Sequence, residues 1–175
     1  MEKIIFHKET KTFHLYNEEI SYIMCVLENG HMGQLYYGKR IHDKPDFSYL
    51  VEKCGRPMTS YIFEGDRSFS LEHIRQEYPV YGTTDYRHPA IEIMQENGSN
   101  ISEFQYVGYE ILKGKPSLKG LPATYTESEE EAETLKIILK DSLTGAKLTL
   151  LYTIFSKGSA IARSAHICNE GEKVL

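Results

Sequence analysis

The chain has no tryptophan, only three cysteines, no long apolar run and no excess of basic charge. Each shortage removes a class of function. Lys and Arg number 20 against 25 Asp and Glu, a formal net charge of −5, and the basic residues are scattered. Nucleic-acid binding needs a clustered basic patch to displace counterions from phosphate, so it is not expected. No stretch approaches the roughly 20 apolar residues of a membrane span. The start, Met1-Glu-Lys-Ile-Ile-Phe-His7, alternates polar and apolar instead of forming a signal-peptide core. No membrane association and a cytoplasmic location are therefore expected. Cys25, Cys54 and Cys168 form no CxxC pair and read as buried free thiols. His31, His42, His73 and His88 show neither HxxxH nor HExxH spacing, so no metal site is expected. No glycine-rich phosphate cradle, dinucleotide fingerprint or serine nucleophile elbow occurs, and no cofactor is expected. Helical periodicity is also scarce.

What the chain does have is enough for one domain. Of its 175 residues 41% are hydrophobic, and tyrosine is abundant at 13. Tyrosine has an apolar body and a polar tip, which suits half-buried sheet faces or a polar interface. Short β-runs separated by turns dominate. Ile4–His7 and Thr12–Tyr16 come first, and Ile20–Glu28 is richer in apolar residues. Asn29-Gly30 is a hairpin signal, with Gly33–Tyr37 returning from it. Ala90–Met94 precedes a second turn at Glu96–Asn100, whose two sequons read as a polar turn, and Phe104–Leu112 follows.

The last third is clearest. In Glu133–Lys140 the residues Leu135, Ile137 and Leu139 alternate with mainly polar neighbours, as in a half-buried strand. Asp141–Gly145 turns, and Lys147–Phe155 returns with Leu148, Leu150, Tyr152 and Ile154 on one face. Ser159–Cys168 follows, then a turn at Asn169–Gly171 and a further strand expected from Lys173. This is an antiparallel meander. A strand starting so near Leu175 suggests a β-domain that extends further, with one sheet edge left open. Asp46–Lys53, with Asp46 as cap, could form one or two helical turns, whereas Glu127–Glu133 reads as a solvated loop.

The stretch Ser70–Ala90 mixes acids, arginines, tyrosines and two prolines with almost no periodicity. Asp43, Asp46, Glu64, Asp66, Glu77 and Asp85 fall in or near this loop-rich region. A glycosidase needs two carboxyl groups about 5–5.5 Å apart for retention or about 6.5–9.5 Å for inversion. Nothing in the spacing selects a pair, so no catalytic residue is assigned. Arg67, Arg75 and Arg87 offer forked donors for sugar hydroxyls or carboxylates, and Tyr78, Tyr81 and Tyr86 offer ring faces. For any single one of them a salt-bridged internal loop or a subunit contact is the favoured reading.

Several ordered segments resemble the N-terminal domain of bacterial α-galactosidases of glycoside hydrolase family 36. They include Leu35–Arg40, Asp66-Arg-Ser-Phe-Ser70, Gln76–Arg87, Glu96–Ser99, Gly114-Lys-Pro116, Gly120–Tyr125, Glu131–Leu135, Tyr152-Thr-Ile154 and Arg163-Ser164. The resemblance runs essentially end to end. It implies an all-β fold, an antiparallel β-supersandwich of the galactose-mutarotase type, with residues 1–175 forming its N-terminal portion. In that family a (β/α)8 barrel supplies an aspartate nucleophile and an aspartate acid/base, and terminal α-galactosides such as melibiose and raffinose are cleaved with retention. No position here matches either aspartate, so the chain alone is expected to be inactive. The resemblance further implies homo-oligomer assembly, a tetramer in the parent. It also implies a loop reaching a neighbour's active-site rim, with Arg67 and Asp66 as substrate-binding residues in trans. Some members carry an acid where this chain reads Cys54-Gly55-Arg56, which departs from the family's contact set. A standalone galactoside-binding module and a purely structural assembly domain are the alternatives.

Overall fold

The computed structural model describes residues 3–120 and 124–175. Part of the Gly120–Tyr125 motif, residues 121–123, lies outside the described residues. Eight strands form two four-stranded antiparallel sheets. The first is the meander β1 (Ile4–His7), β2 (Thr12–Tyr16), β3 (Ile20–Val26) and β4 (Met32–Lys39). The second is the meander β5 (Phe104–Lys113), β6 (Ala132–Asp141), β7 (Ala146–Phe155) and β8 (Ile161–Asn169). The two sheets face each other, as the expected β-sandwich requires.

The inner core follows from alternation. Ile20, Tyr22 and Met24 of β3 point inward with Phe13 and Leu15 of β2. They meet Leu135, Ile137 and Leu139 of β6 and Leu148, Leu150, Tyr152 and Ile154 of β7. The second sheet buries one face only, so its sequence reads apolar-polar. The first sheet is buried on both. Ile23, Cys25, Leu27 and Leu35 point outward and are covered by Phe47, Phe69, Leu71 and Ile74. That second core explains why Ile20–Glu28 is continuously apolar: a strand covered on both faces has no polar side to show.

The cover comes from residues 40–103, a connection with no strand of its own. A single 3₁₀ turn at Ser48–Leu50 replaces the helix expected over Asp46–Lys53, and Asp46 accepts a hydrogen bond from the Ser48 N–H at 2.7 Å. The connection docks by backbone pairing instead. Gln34 N–H donates to the Arg75 carbonyl at 3.0 Å and Glu77 N–H to that of Met32 at 2.9 Å, so Arg75–Glu77 lies along the β4 edge.

Three expected features are corrected. Ala90–Met94 is not a strand: the Ala90 N–H goes to the Pro79 carbonyl at 2.8 Å, and Ile93 is buried in the inter-sheet core from a segment outside both sheets. Its alternation served a packed loop. No strand forms at Lys173, because Gly145 and Asn169–Gly171 close around each other, with Glu170 N–H on the Gly145 carbonyl. A 3₁₀ turn at Glu129–Glu131 leads directly into β6, within the acidic run read as a loop.

Candidate functional site

The functional expectation centred on Arg67 and Asp66. A tight turn carries both: Asp66 N–H donates to the Phe63 carbonyl at 3.2 Å, and Gly65 supplies the required φ of +85°. The Asp66 carboxylate is turned back on its own loop, accepting from the Ser68 N–H at 2.8 Å and the Ser68 hydroxyl at 2.6 Å. Those two bonds, the hydroxyl first, hold its carboxyl below the usual range. Arg67 is exposed on the same turn, with its guanidinium 6.0 Å from the Tyr61 ring centroid. It makes no ion pair among the described residues. Thus Asp66 shapes the loop, and Arg67 alone is presented outward.

The Ser70–Ala90 stretch forms a polar network. Asp85 is buried and accepts four hydrogen bonds. Arg87 contributes its N–H at 3.2 Å, Nε at 2.8 Å and Nη2 at 2.8 Å, and Gln76 Nε2 the fourth at 2.8 Å. Burial alone would raise the Asp85 pKa, but the Arg87 hydrogen bonds outweigh it and hold it low. Gln76 also faces the buried His31, whose Nδ1 is 3.2 Å from Gln76 Oε1. Beside this network lies a cleft of about 360 Å³ between Gln34, His73, Arg75, Gln76, Arg87 and His88. A larger groove of about 800 Å³ lies at the sheet ends. There Lys3, Arg40 and Lys113 face Glu18, Glu129, Glu130 and Glu133, so glutamates outnumber its cations by one.

Glu77 has a fully buried side chain. It sits between the sheets and accepts from Tyr22 Oη at 2.7 and 2.9 Å and from Tyr152 Oη at 2.8 Å. Arg163 of β8 pairs with it at 2.9 Å and also donates to the Glu77 carbonyl at 2.9 Å. Burial raises the Glu77 pKa against the pull of Arg163 and the tyrosines. Burial likewise raises both tyrosine pKa values. With its acceptors occupied and no opening to solvent, this carboxylate is a structural clasp.

A second buried cluster has the outline of a nucleophilic triad. Ser21 Oγ lies 2.9 Å from His14 Nε2, and His14 Nδ1 lies 2.7 Å from Asp43 Oδ1. His7 Nε2 reaches the same oxygen at 2.9 Å. An ionised carboxylate only accepts, so Nδ1 of His14 carries the proton and its Nε2 accepts from the Ser21 hydroxyl. Ser21 and His14 are fully buried, and Ser21 Oγ also takes the Ile41 N–H at 3.1 Å. No substrate can reach that oxygen. The cluster ties residues 41–43 to β1, β2 and β3. Burial lowers the His14 pKa, against the pull of Asp43. Burial would raise the Asp43 pKa, but hydrogen bonds from His14 and His7 bring it below the usual range.

Sequence reasoning gave His14, Ser21 and Tyr22 no role, although Ser21-Tyr-Ile23 is among the segments that carry the resemblance, because partners such as Asp43 and Glu77 are distant in the chain. The cysteine expectation is corrected in part: Cys25 is buried, its thiol pushed up to about 12 by burial, but Cys54 and Cys168 are exposed. No helix of the described residues is long and apolar enough to cross a membrane.

Residues 30–175 match the glycosyl hydrolase family 36 N-terminal domain. The chain belongs to this family. Family 36 relatives are similar along nearly its whole length. The α-galactosidase AgaA of Geobacillus stearothermophilus is 42% identical over 98% of the chain, which covers 24% of that enzyme. The α-galactosidase Mel36A of Lactobacillus acidophilus is 34% identical over 98% of the chain, again 24% of the enzyme. Among solved structures, the α-galactosidase of Lactobacillus brevis matches with a TM-score of 0.92 and 36% identity, covering 97% of this chain and 23% of that one. The Geobacillus AgaA structures, solved with raffinose and with stachyose in two variants, match with a TM-score of 0.87, 93% of this chain and 23% of theirs. The chain therefore spans about a quarter of the length of the curated relatives it matches.

Proposed function

We propose that this chain is the N-terminal, non-catalytic portion of a retaining family 36 α-galactosidase acting on terminal α-galactosides. The bond-breaking aspartates would come from a (β/α)8 barrel elsewhere in the polypeptide. The carrying observation is similarity along nearly the whole chain to about a quarter of enzymes that are α-galactosidases. The acids here support it. Glu77, Asp85 and Asp43 are each engaged in structural hydrogen bonds, and Asp66 stabilises its own turn. The chain alone should not turn over an aryl α-galactoside. Turnover that follows the pure chain through chromatography would overturn this reading.

The finer part of the proposal concerns assembly. In a homo-oligomer, a tetramer, the domain shapes a neighbouring subunit's active-site rim, with Arg67 and Asp66 in the contributing loop. An exposed arginine on a rigid turn, with no carboxylate partner among the described residues, supports this. Its forked donors would hold sugar hydroxyls or the rim. Asp66 is read as the residue that aims it. Arg67→Ala in the barrel-bearing polypeptide should lower kcat/KM roughly tenfold to a hundredfold, as lost charged hydrogen bonds do, with the oligomer intact. Normal kinetics in an intact oligomer would make Arg67 a surface residue. Dissociation would make its role assembly alone.

A further inference from the structure

The cleft beside the Asp85 network has a cation to spare and no free carboxylate in its lining. Its carboxylate, Asp85, already takes four hydrogen bonds, three from Arg87 and one from Gln76. An ionised carboxylate has about four lone-pair sites, so Asp85 is saturated. Arg87 is fixed by that pairing and by a 3.0 Å bond from its Nη2 to the Leu71 carbonyl, yet its side chain remains 57% exposed. Arg75, on the same wall, is different. It has no ion pair among the described residues, and its guanidinium makes one long bond, 3.4 Å to the Leu35 carbonyl. Its backbone is pinned to the β4 edge through the Gln34 N–H, so the charge is held at the cleft and not on a free loop.

The histidines fit the same account. His73 Nε2 lies 3.4 Å from the Ser68 carbonyl, an acceptor, so that nitrogen carries the proton of the neutral ring. Its Nδ1 is buried without a partner. His88 lines the cleft from the far side. The larger groove at the sheet ends gives the contrast, since its cations are outnumbered by glutamates.

We propose that this cleft is an oxyanion site, taking a carboxylate or phosphate-type group between Arg75, Arg87 and His88. Arg75 supplies the uncompensated charge. Arg87, held by Asp85 and the Leu71 carbonyl through Nε and Nη2, has only Nη1 left to donate to the anion. The site is independent of the Arg67 loop and of the α-galactosidase reading. Its occupant is either a free anion or a carboxylate offered by a second copy of this chain.

The probe is inorganic phosphate, followed by ¹⁵N NMR of arginine Nε and histidine ring nitrogens, with ionic strength held constant by chloride. Saturable shifts at Arg75, Arg87 and His88 are expected. Arg75→Ala should weaken binding roughly tenfold to a hundredfold. Arg75→Gln, which keeps donors but not charge, should fall between. Lys136→Ala, which removes a surface partner of Glu110 on the second sheet, should change nothing. Shifts that never saturate, or that survive Arg75→Ala unchanged, overturn the proposal. Sedimentation separates the two sources. Self-association reversed by phosphate and by Arg75→Ala identifies the second copy. A chain that stays monomeric yet binds phosphate saturably identifies the free anion.

Discussion

In β6 and β7 the inward side chains are Leu135, Ile137, Leu139, Leu148, Leu150, Tyr152 and Ile154, a nearly unbroken apolar face. Between Lys39 and Phe104 the buried set includes Ser70, Glu77, Asp85 and Ser102 among Phe47, Phe69, Leu71 and Ile74. The sheets satisfy their backbone in ladders and can bury pure hydrocarbon. The connection has no ladder of its own, so its polar groups need individual partners. A connection of this length without regular structure is uncommon in a compact domain. Here it is ordered because it carries one wall of a second core and a set of buried hydrogen-bonded acids. It is as much a packed layer as the sheets it joins.

That equivalence can be broken most directly at Phe69, which is buried against the outer face of β3. Phe69→Ala should cost about 3–5 kcal/mol in urea unfolding, the range for emptying a core phenylalanine site. A loss below about 1 kcal/mol would mean that the connection merely drapes over the sheet. Glu77→Ala should come next, at about 3 kcal/mol, because removing one partner strands the other charge. Arg163 is 43% exposed and can be partly rehydrated, which sets the value at the lower end of that range. Glu77→Gln should cost less, since the amide oxygen still accepts from the tyrosines. Equal losses for the two variants would show that the negative charge, not the hydrogen bonding, is what the clasp needs.

The smallest effect concerns pH. The His14 pKa is lowered by burial from the usual 6.5, so as pH falls below that value the unfolded chain takes up a proton that the folded chain resists. Stability rises with pH wherever the unfolded state binds more protons, so it should fall as pH drops through about 6.5. Asp43, whose folded pKa is depressed, adds a loss of the same sign further into acid. His14→Gln should flatten the upper part of this slope. The raised pKa of Glu77 contributes with the opposite sign, but it is common to both proteins and cancels in the difference. An unchanged slope between the two proteins would remove His14 from the account.

The sheets were legible because their code is local. Period-2 alternation in Glu133–Phe155 and the Asn29-Gly30 turn each concern neighbouring residues, and the strands fall within a few residues of expectation. The two-sided burial of β3 could be read in its continuous apolar run, but not what covered it. The connection was opaque for the opposite reason. Ile91 and Ile93 alternate as a strand would, yet no segment of the described residues pairs with them, and pairing is a property of the fold. Asp85 and Arg87 were visible as a mixed-charge cluster. Their partnership with each other, Arg75's lack of one and His14's place between Asp43 and Ser21 depend on distances that spacing does not encode. Arg67's expected place at a neighbour's active-site rim came from resemblance alone. Its exposure is a finding of the fold.

The clasp around Glu77 also bears on the order of assembly. Each four-stranded meander closes through contacts between chain neighbours, which form early and at little loop-closure cost. Glu77 instead gathers Tyr22, 55 positions before it, Tyr152, 75 after it, and Arg163, 86 after it. Such a meeting requires both sheets and the docked connection to be in place. We expect it to form late in folding, after the rate-limiting barrier, which φ-values near zero for Glu77 variants would check. Interactions of that kind leave the folding rate almost untouched and act as a brake on unfolding. The four side chains therefore set how long the sandwich stays shut, more than how quickly it closes.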